Sequence, residues 1–487
     1  MKHRRLAVLG LLLGVSTLSA CATPHAMTAA ELRDSLPIPD EFPVGGESGE
    51  PLETAPWRAF FDEPILAGYI VEALSKNQEL NILLQEIEVE RAEVGARTGE
   101  LFPVVRLRAA AEGEKVGAFT RAGAVEENLE IREGEEFPKF LPDYVVGAEL
   151  SWEVDIWKKL RNARKAQVLR YLASQEGRRF MVTRLVAEIA QTYYELEALD
   201  ARLDILGQTI ELQKAALETV RLQKAAARST ELAVRRFEAE VLGNESERFT
   251  LQQEIVETEN RLRLLLGGHD GDIVRSESEF RTIPVRCIRI ARPDELLAAR
   301  PDIRQAELQL KAADLDVKVA RAQFLPQLDV DAVVGLQSFQ TSSLAMTPES
   351  LIYRLAANLA APLVNRSAVK AAFRSATARQ LQALYDYQQT VLEAYTEVAT
   401  LLVSARNLEL GLERKVRQVE AFEASVEAAN RLFASARAEY TEVLLTQREA
   451  LDAEIELIDI KQRQLATMIG AYRAVGGGAI APGDLAM

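Results

Sequence analysis

Apolar and polar positions recur along this chain in two rhythms. Most of it from residue 63 onward steps at helical spacing, is rich in Ala, Leu, Glu, Gln and Arg, and has few breakers over 158–266 and 366–470. Four segments alternate with period two instead. In the first, Val105, Leu107, Ala109 and Ala111 oppose Arg106, Arg108 and Glu112. In the second, Tyr144, Val146, Ala148, Leu150, Trp152, Val154 and Ile156 oppose Asp143, Glu149, Ser151, Glu153 and Asp155. The third sets Leu328, Val330, Ala332, Val334 and Leu336 against Gln327, Asp329, Asp331 and Gln337. The fourth sets Leu351, Tyr353, Leu355, Ala357, Leu359 and Leu363 against Ser350, Arg354 and Asn358.

Each run is about ten residues, the length of a membrane-crossing strand. Apolar-out, polar-in alternation marks a transmembrane barrel with a wet lumen, although a soluble sheet resting on a helical core would show it too. Backbone groups in lipid must all be paired, so a spanning sheet has to close on itself. Four strands are too few, because even small filled barrels use about eight. Three chains would bring twelve. The expected fold is therefore mainly α with a membrane β-barrel that is trimeric and 12-stranded, each protomer giving four strands and a duplicated helix set.

The duplication is legible. "ERAEVGARTGELFPVVRL" (90–107) aligns with "ADLDVKVARAQFLPQLDV" (313–330), bringing Pro103 onto Pro326, and "TELAVRRFEAE" (230–240) matches "TEVLLTQREAL" (441–451), bringing Thr230 onto Thr441. Repeat 1 spans 63–266: helix 63–98, strand 102–113, loop 114–142, strand 143–156, helices 158–226 and 230–266. Repeat 2 spans 293–470: helix 293–322, strand 325–337, loop 338–349, strand 350–363, helices 366–435 and 440–470. The unit is a large duplication, not a short solenoid repeat. Helices of about 70 residues reach about 100 Å, longer than a globular core requires. Heptad-like seams run along Leu444, Leu451, Ile455, Ile458, Leu465 and Ile469, and along Leu384, Tyr387, Val391, Tyr395, Val398 and Leu402, which predicts pairing of these helices with a modest crossing angle.

The N-terminus changes the setting. Lys2, Arg4 and Arg5 precede the apolar run Leu6–Leu18, the pattern of a secretory signal over 1–20. Leu18-Ser19-Ala20-Cys21 looks like the lipobox of bacterial lipoproteins, which predicts a covalent diacylglycerol and N-acyl lipid on Cys21 and no other cofactor; Ala22 favours the outer membrane. With Cys21 lipidated, Cys287 is left without an intrachain disulfide partner. The formal charge of −15 becomes −18 once the leader's three basic residues are removed, which argues against nucleic acid as a partner.

A resemblance now becomes specific. "PWRAFFDEPILAGYIVEAL" with "NQELNILL" (56–84), "GELFP" (99–103), "LSWEVDIW" (150–157), "LAARPDIRQAELQLKAADLDVKVARAQFLP" (297–326) and "YRAVGGG" (472–478) resemble the TolC-like outer membrane factor family, in its NodT/OprM-like lipoprotein branch. The resemblance implies a homotrimer whose β-barrel continues into a 12-helix periplasmic α-barrel. It also implies an equatorial belt, assigned to about 22–62, 205–215, 267–292, 405–415 and the tail 471–487. By the same resemblance the chain is the exit duct of a tripartite efflux system, working with outer membrane lipid, a periplasmic adaptor protein and an inner-membrane pump of RND type. A lipid-anchored periplasmic adaptor is the alternative; it would carry one helical hairpin between compact β modules, not two complete repeats.

No catalytic constellation is visible, so the chain is read as no enzyme. Three histidines (3, 25 and 269) form no metal pair, and "LLGGHDGD" (265–272) lacks the alternating ligands of a calcium loop and reads as a helix stop. Transport would instead fall to the lining: Arg106, Arg108, Glu112, Glu149, Glu153, Asp155, Asp329, Asp331 and Arg354 are candidates for the barrel lumen, or a solvated sheet face. The turns at 225–231 and 434–441 would lie at the periplasmic end, where the family constricts its tunnel. Arg228, Thr230, Glu231, Arg235, Phe433, Arg437, Tyr440 and Thr441 are candidates there for gating or adaptor contact, or for simple capping and surface roles. The chain departs from the family pattern in carrying Ala227 and Ala436 near the usual turn glycine, and Ala233 and Leu445 near the usual acid. It also shows "DIWKKL" and "PLVNRS" where a glycine usually follows the second strand of each half, so closure by apolar packing or Arg–Glu pairs is expected.

Overall fold

The computed structural model describes residues 57–477 apart from 133, 137–138, 270, 277–278, 287–292, 294–298, 363, 365 and 436, and adds residues 39, 41 and 42. The leader, Cys21, Cys287 and residues 478–487 lie outside the described residues. In chain order the main elements are α1 (Trp57–Phe61), α2 (Pro64–Lys76), α3 (Gln78–Gly99), β1 (Val104–Glu114), a short α4 (Arg121–Glu126), the two-stranded β2 (Glu130–Arg132) and β3 (Glu135–Glu136), β4 (Leu141–Val154), α5 (Lys159–Ala225) and α6 (Glu231–Leu266). The second half repeats the order with α7 (Pro301–Ala322), β5 (Gln327–Ser338), β6 (Leu351–Ala360), α8 (Ser367–Ala434) and α9 (Tyr440–Ala474).

Helices α5 and α8 have 67 and 68 residues, so each is about 100 Å long. Both run without a break through 205–215 and 405–415, which corrects the assignment of those stretches to a mixed-structure belt: neither contains a proline, and no cap interrupts the helix. The helix expected over 63–98 is two helices. Asn77 ends α2 and starts α3, its Oδ1 accepting from Leu80 N at 3.0 Å while its Nδ2 donates to Leu265 O at 2.9 Å. An Asx cap thus satisfies orphan amides that a continuous helix would not have. The counterpart in repeat 2 is interrupted at the matching place: Pro293 and Ala299 are helical, Arg300 is not, and α7 begins at Pro301, with proline in the first turn, where its missing N–H costs nothing. The acidic loop 114–142 also carries structure, namely α4 and the β2–β3 pair.

The main core lies at mid-height. Trp57, Phe60 and Phe61 of α1, Leu66 and Ile70 of α2, and Ile273 and Phe280 pack against Val182–Ile210 of α5, the end of α6, and Ile458, Leu465, Ile469 and Tyr472 of α9. The two seams read from the sequence therefore do not face each other. The α9 seam faces α5, while Leu384, Tyr387 and Val391 of α8 pack on Ile303 and Leu310 of α7. Contact between α8 and α9 uses Val419 with Ala453 and Leu457, and Val398 and Leu402 of the α8 seam meet Ala474 at the end of α9. Each long helix touches more than one neighbour, so one helix carries more than one apolar stripe.

Strands β1, β4, β5 and β6 form one antiparallel sheet in the order β1-β4-β5-β6, leaving β1 and β6 as its edges. Val105 pairs with Leu150, Leu150 with Ala332 and Ala332 with Leu355, so the apolar faces of all four strands coincide. Among the described residues that face has little cover: Leu107 is 91%, Tyr353 82% and Leu355 77% exposed. Among the described residues no helix is long and apolar enough to cross a membrane.

Candidate functional site

The polar face of the sheet follows from the same register. Arg106 lies opposite Glu149, Glu149 opposite Val333 and Val333 opposite Arg354, giving one cross-strand row. Two rows toward the strand ends that join the long helices, Glu153 lies opposite Asp329, and Asp329 opposite Asn358. Asp331 lies in the row between, accepting from Asn358 Nδ2 at 3.4 Å. Arg108 reaches Glu112 along its own strand at 3.5 Å, and Glu153 pairs with Lys159 at 2.6 Å. Eight of the nine lumen candidates thus share one face. Basic residues occur only on the edge strands, while the central strands β4 and β5 carry acids alone.

Asp155 is different. It lies beyond β4, and its carboxylate accepts from Leu160 N at 3.1 Å, Arg161 N at 3.0 Å and Arg161 Nε at 2.9 Å. Burial pushes this carboxyl up, but the three hydrogen bonds outweigh it and hold the group below its ordinary value. The side chain caps the first turn of α5 and is not free to wet a lumen. The residue before that helix, Lys158, sits in the left-handed region at φ 60°, a conformation that favours glycine.

Sequence reasoning did not single out two features of the sheet. Gly147 and Gly335 face each other at mid-strand, where a Cβ on Gly147 would meet Val334 O at 2.5 Å and one on Gly335 would meet Val146 O at 2.6 Å. Only glycine permits that backbone approach. At the helix-proximal end, Trp152 Nε1 donates to Leu101 O at 3.1 Å and Trp157 Nε1 to Pro326 O at 2.7 Å, each tying a strand end to a turn. Tryptophans at strand ends were the available signal, since indoles gather where apolar and wet surfaces meet.

At the far end of the long helices the two hairpin turns pack together. Phe433 and Tyr440 are half-buried against Val220, Val234, Phe237 and Val443. The α5 helix ends in a Schellman motif: Arg228 N donates to Gln223 O at 2.8 Å and Ala227 N to Lys224 O at 2.9 Å, with Ala227 at φ 56°. Arg437 N makes the equivalent bond to Leu432 O at 2.9 Å. Both arginine side chains are exposed. Thr230 caps α6 by accepting from Ala233 N at 3.2 Å. In the second hairpin Glu439 holds that cap position and Thr441 is already helical, so the alignment of Thr230 with Thr441 is offset by two residues. Glu231 pairs with Lys224 and, at 2.9 Å, with Arg235, which also reaches Glu238 at 3.0 Å. The lysine first, then the arginine, holds the Glu231 carboxyl below its ordinary value. The tip thus packs an apolar cluster beside a chain of Lys–Glu and Arg–Glu pairs on the first hairpin.

The sequence profile of the outer membrane efflux proteins matches residues 69–268 and 292–477 of this chain. The chain is 26% identical over 473 residues to the probable outer membrane lipoprotein SilC of Salmonella typhimurium, covering 96% of this chain and 98% of that one. It is 28% identical to the outer membrane protein OprJ of Pseudomonas aeruginosa, across 98% and 97% of the two chains. Its fold matches the solved structure of the Campylobacter jejuni CmeC outer membrane channel with a TM-score of 0.81 at 19% identity, covering 95% of each chain.

Proposed function

This chain belongs to the outer membrane efflux protein family, and on that premise we propose that three copies of it close into one conduit, a 12-stranded barrel in the outer membrane continued by a 12-helix tunnel through the periplasm. The protein is an outer membrane channel, an exit duct of an efflux system, and not an enzyme. The observation that carries the trimeric reading is the sheet: four strands share one exposed apolar face and end in two unpaired edges. Such a sheet is stable in lipid only if a neighbour pairs each edge, because unpaired amides and carbonyls there cost several kcal/mol apiece. The helices support the same reading, since α8 leaves Leu381, Tyr385 and Leu392 exposed and α6 leaves Leu242, Phe249 and Val256 exposed.

In this reading the polar sheet face lines the pore and the Trp152–Trp157 end lies at the periplasmic surface of the membrane. Phe433 and Tyr440 close the periplasmic mouth by apolar packing, with Lys224, Glu231 and Arg235 setting the pitch of the first hairpin. Arg228 and Arg437 project where an adaptor of an inner-membrane pump would dock; assignment of that pump to the RND type rests on the family resemblance. Cys21 carries the lipid that pins each protomer to the inner leaflet beside its own strands.

Planar-bilayer recording of the purified protein, with its mass measured in detergent, tests the assembly. A trimer giving stepwise conductance is expected. A monomer that stays soluble without detergent and gives no steps would overturn the reading.

A further inference from the structure

The edges of the sheet carry enough information to say how they meet. Within one protomer Arg106 of β1 and Arg354 of β6 lie in the same cross-strand row. A closed barrel does not join equal rows, because its strands tilt by about 35–45° and the hydrogen-bonding register climbs as it goes round. Crossing four strands spaced about 4.8 Å apart covers about 19 Å, and at that tilt the climb is about 13–19 Å, or about four to six residues at about 3.3 Å each. An odd offset would turn the apolar face of the next protomer inward, so only four or six survives.

The direction of the offset is also settled. β1 begins at Val104, so a shift toward the start of β1 would leave two residues of β6 or none opposite it. A shift toward its end pairs ten residues at an offset of four and nine at an offset of six. The residue of the next protomer facing Arg354 is then Ala110 or Glu112. In the first case Glu112 is the diagonal neighbour, still within reach of an arginine. The strands run antiparallel across this junction, and Tyr353, Leu355 and Leu359 face Ala111, Ala109 and Val105 at an offset of four, or Gly113, Ala111 and Leu107 at an offset of six, which continues the apolar face.

Charge selects the same pairing. Arg354 makes no ion pair among the described residues. The Glu112 side chain is 69% exposed and held by a single cation, Arg108, at 3.5 Å. An unstaggered seam would set Arg354 against Arg106, with like charges directly opposed across neighbouring strands. We propose that Arg354 of one protomer and Glu112 of the next form an ion pair on the lumen face of each subunit seam, and that this pair sets the register in which the barrel closes. The proposal rests on the trimeric closure proposed above and adds the partner residue that the single chain lacks.

Cysteine pairs read the register directly. In a Cys287→Ser background, Arg354→Cys is combined in turn with Glu112→Cys, Ala110→Cys and Arg106→Cys, and the full-length protein is oxidised in outer membranes and run on denaturing gels. Covalent oligomers from the pairs with 112 or 110, and not from the pair with 106, are expected. Cross-linking through 106, or trimers by mass with no cross-link from any pair, overturns the seam while leaving the trimer standing. Absence of any oligomer by mass overturns the trimer itself. Should a cysteine variant not reach the membrane, charge exchange serves in its place: Arg354→Glu lowers the yield of heat-resistant trimer and adding Glu112→Arg restores it. A double variant no better than the single one overturns the pair.

Discussion

Ala227 shows how a single position departs from what its turn asks for. The Schellman motif needs a residue in the left-handed region, where a Cβ crowds the backbone, and this chain supplies alanine at φ 56°. Ala227→Gly removes the crowding at the cost of a freer unfolded chain, so a net gain of about 0.5–1 kcal/mol in local stability is expected. Slower hydrogen exchange over 222–231 would record it; unchanged or faster exchange would show that the neighbouring hairpin has already relieved the strain. Gly267 is the opposite case. Its φ is 79°, and a Cβ there would meet Lys76 O at 2.3 Å, so the glycine is demanded by both conformation and space. That requirement is what "LLGG" meant as a helix stop.

The elements meet through buried ionic clasps. Arg300, whose side chain is 6% exposed, donates to Asp302 at 2.8 Å, Glu397 at 2.9 Å and Ala474 O at 3.0 Å, joining the start of α7 to the middle of α8 and the end of α9. Burial disfavours its charge, but the two carboxylates outweigh that and raise its pKa above the ordinary arginine value. Asn77, bonded to Leu265 O, stands at the equivalent junction of repeat 1, so the duplication preserved the place of the clasp and not its chemistry. Arg300→Met would leave Asp302 with the Ile303 amide and Glu397 with Arg473, each short of its buried cation, at a cost of about 3 kcal/mol. Exchange over the first turns of α7 should then accelerate by about a hundredfold. Protection equal to wild type would assign the clasp no net stabilising role.

At the scale of the whole molecule the open sheet and the exposed apolar helix residues are what the proposed trimeric assembly would cover, each protomer then being a fragment of a larger wall. Lipid on Cys21 would add retention to that wall, while conduction would need only the barrel and the tunnel. Cys21→Ser should therefore lose fatty-acid labelling in cells yet keep stepwise conductance once purified. Labelling that persists in the variant would refute the lipobox reading.

The amino-acid sequence by itself determined the four strands, the long helices and the duplication, because alternation and heptad spacing are local patterns that lipid, water and neighbouring helices each select without reference to distant residues. Of the nine residues it put forward for the polar sheet face, eight share that face, since parity along a strand decides the face. Tertiary structure alone decided which apolar stripe meets which helix, that Asp155 serves a helix start and not the pore face, and that Gly147 stands against Gly335. Those depend on contacts between segments far apart in the chain, and a pattern read along one segment cannot say which partner its stripe or its carboxylate will find.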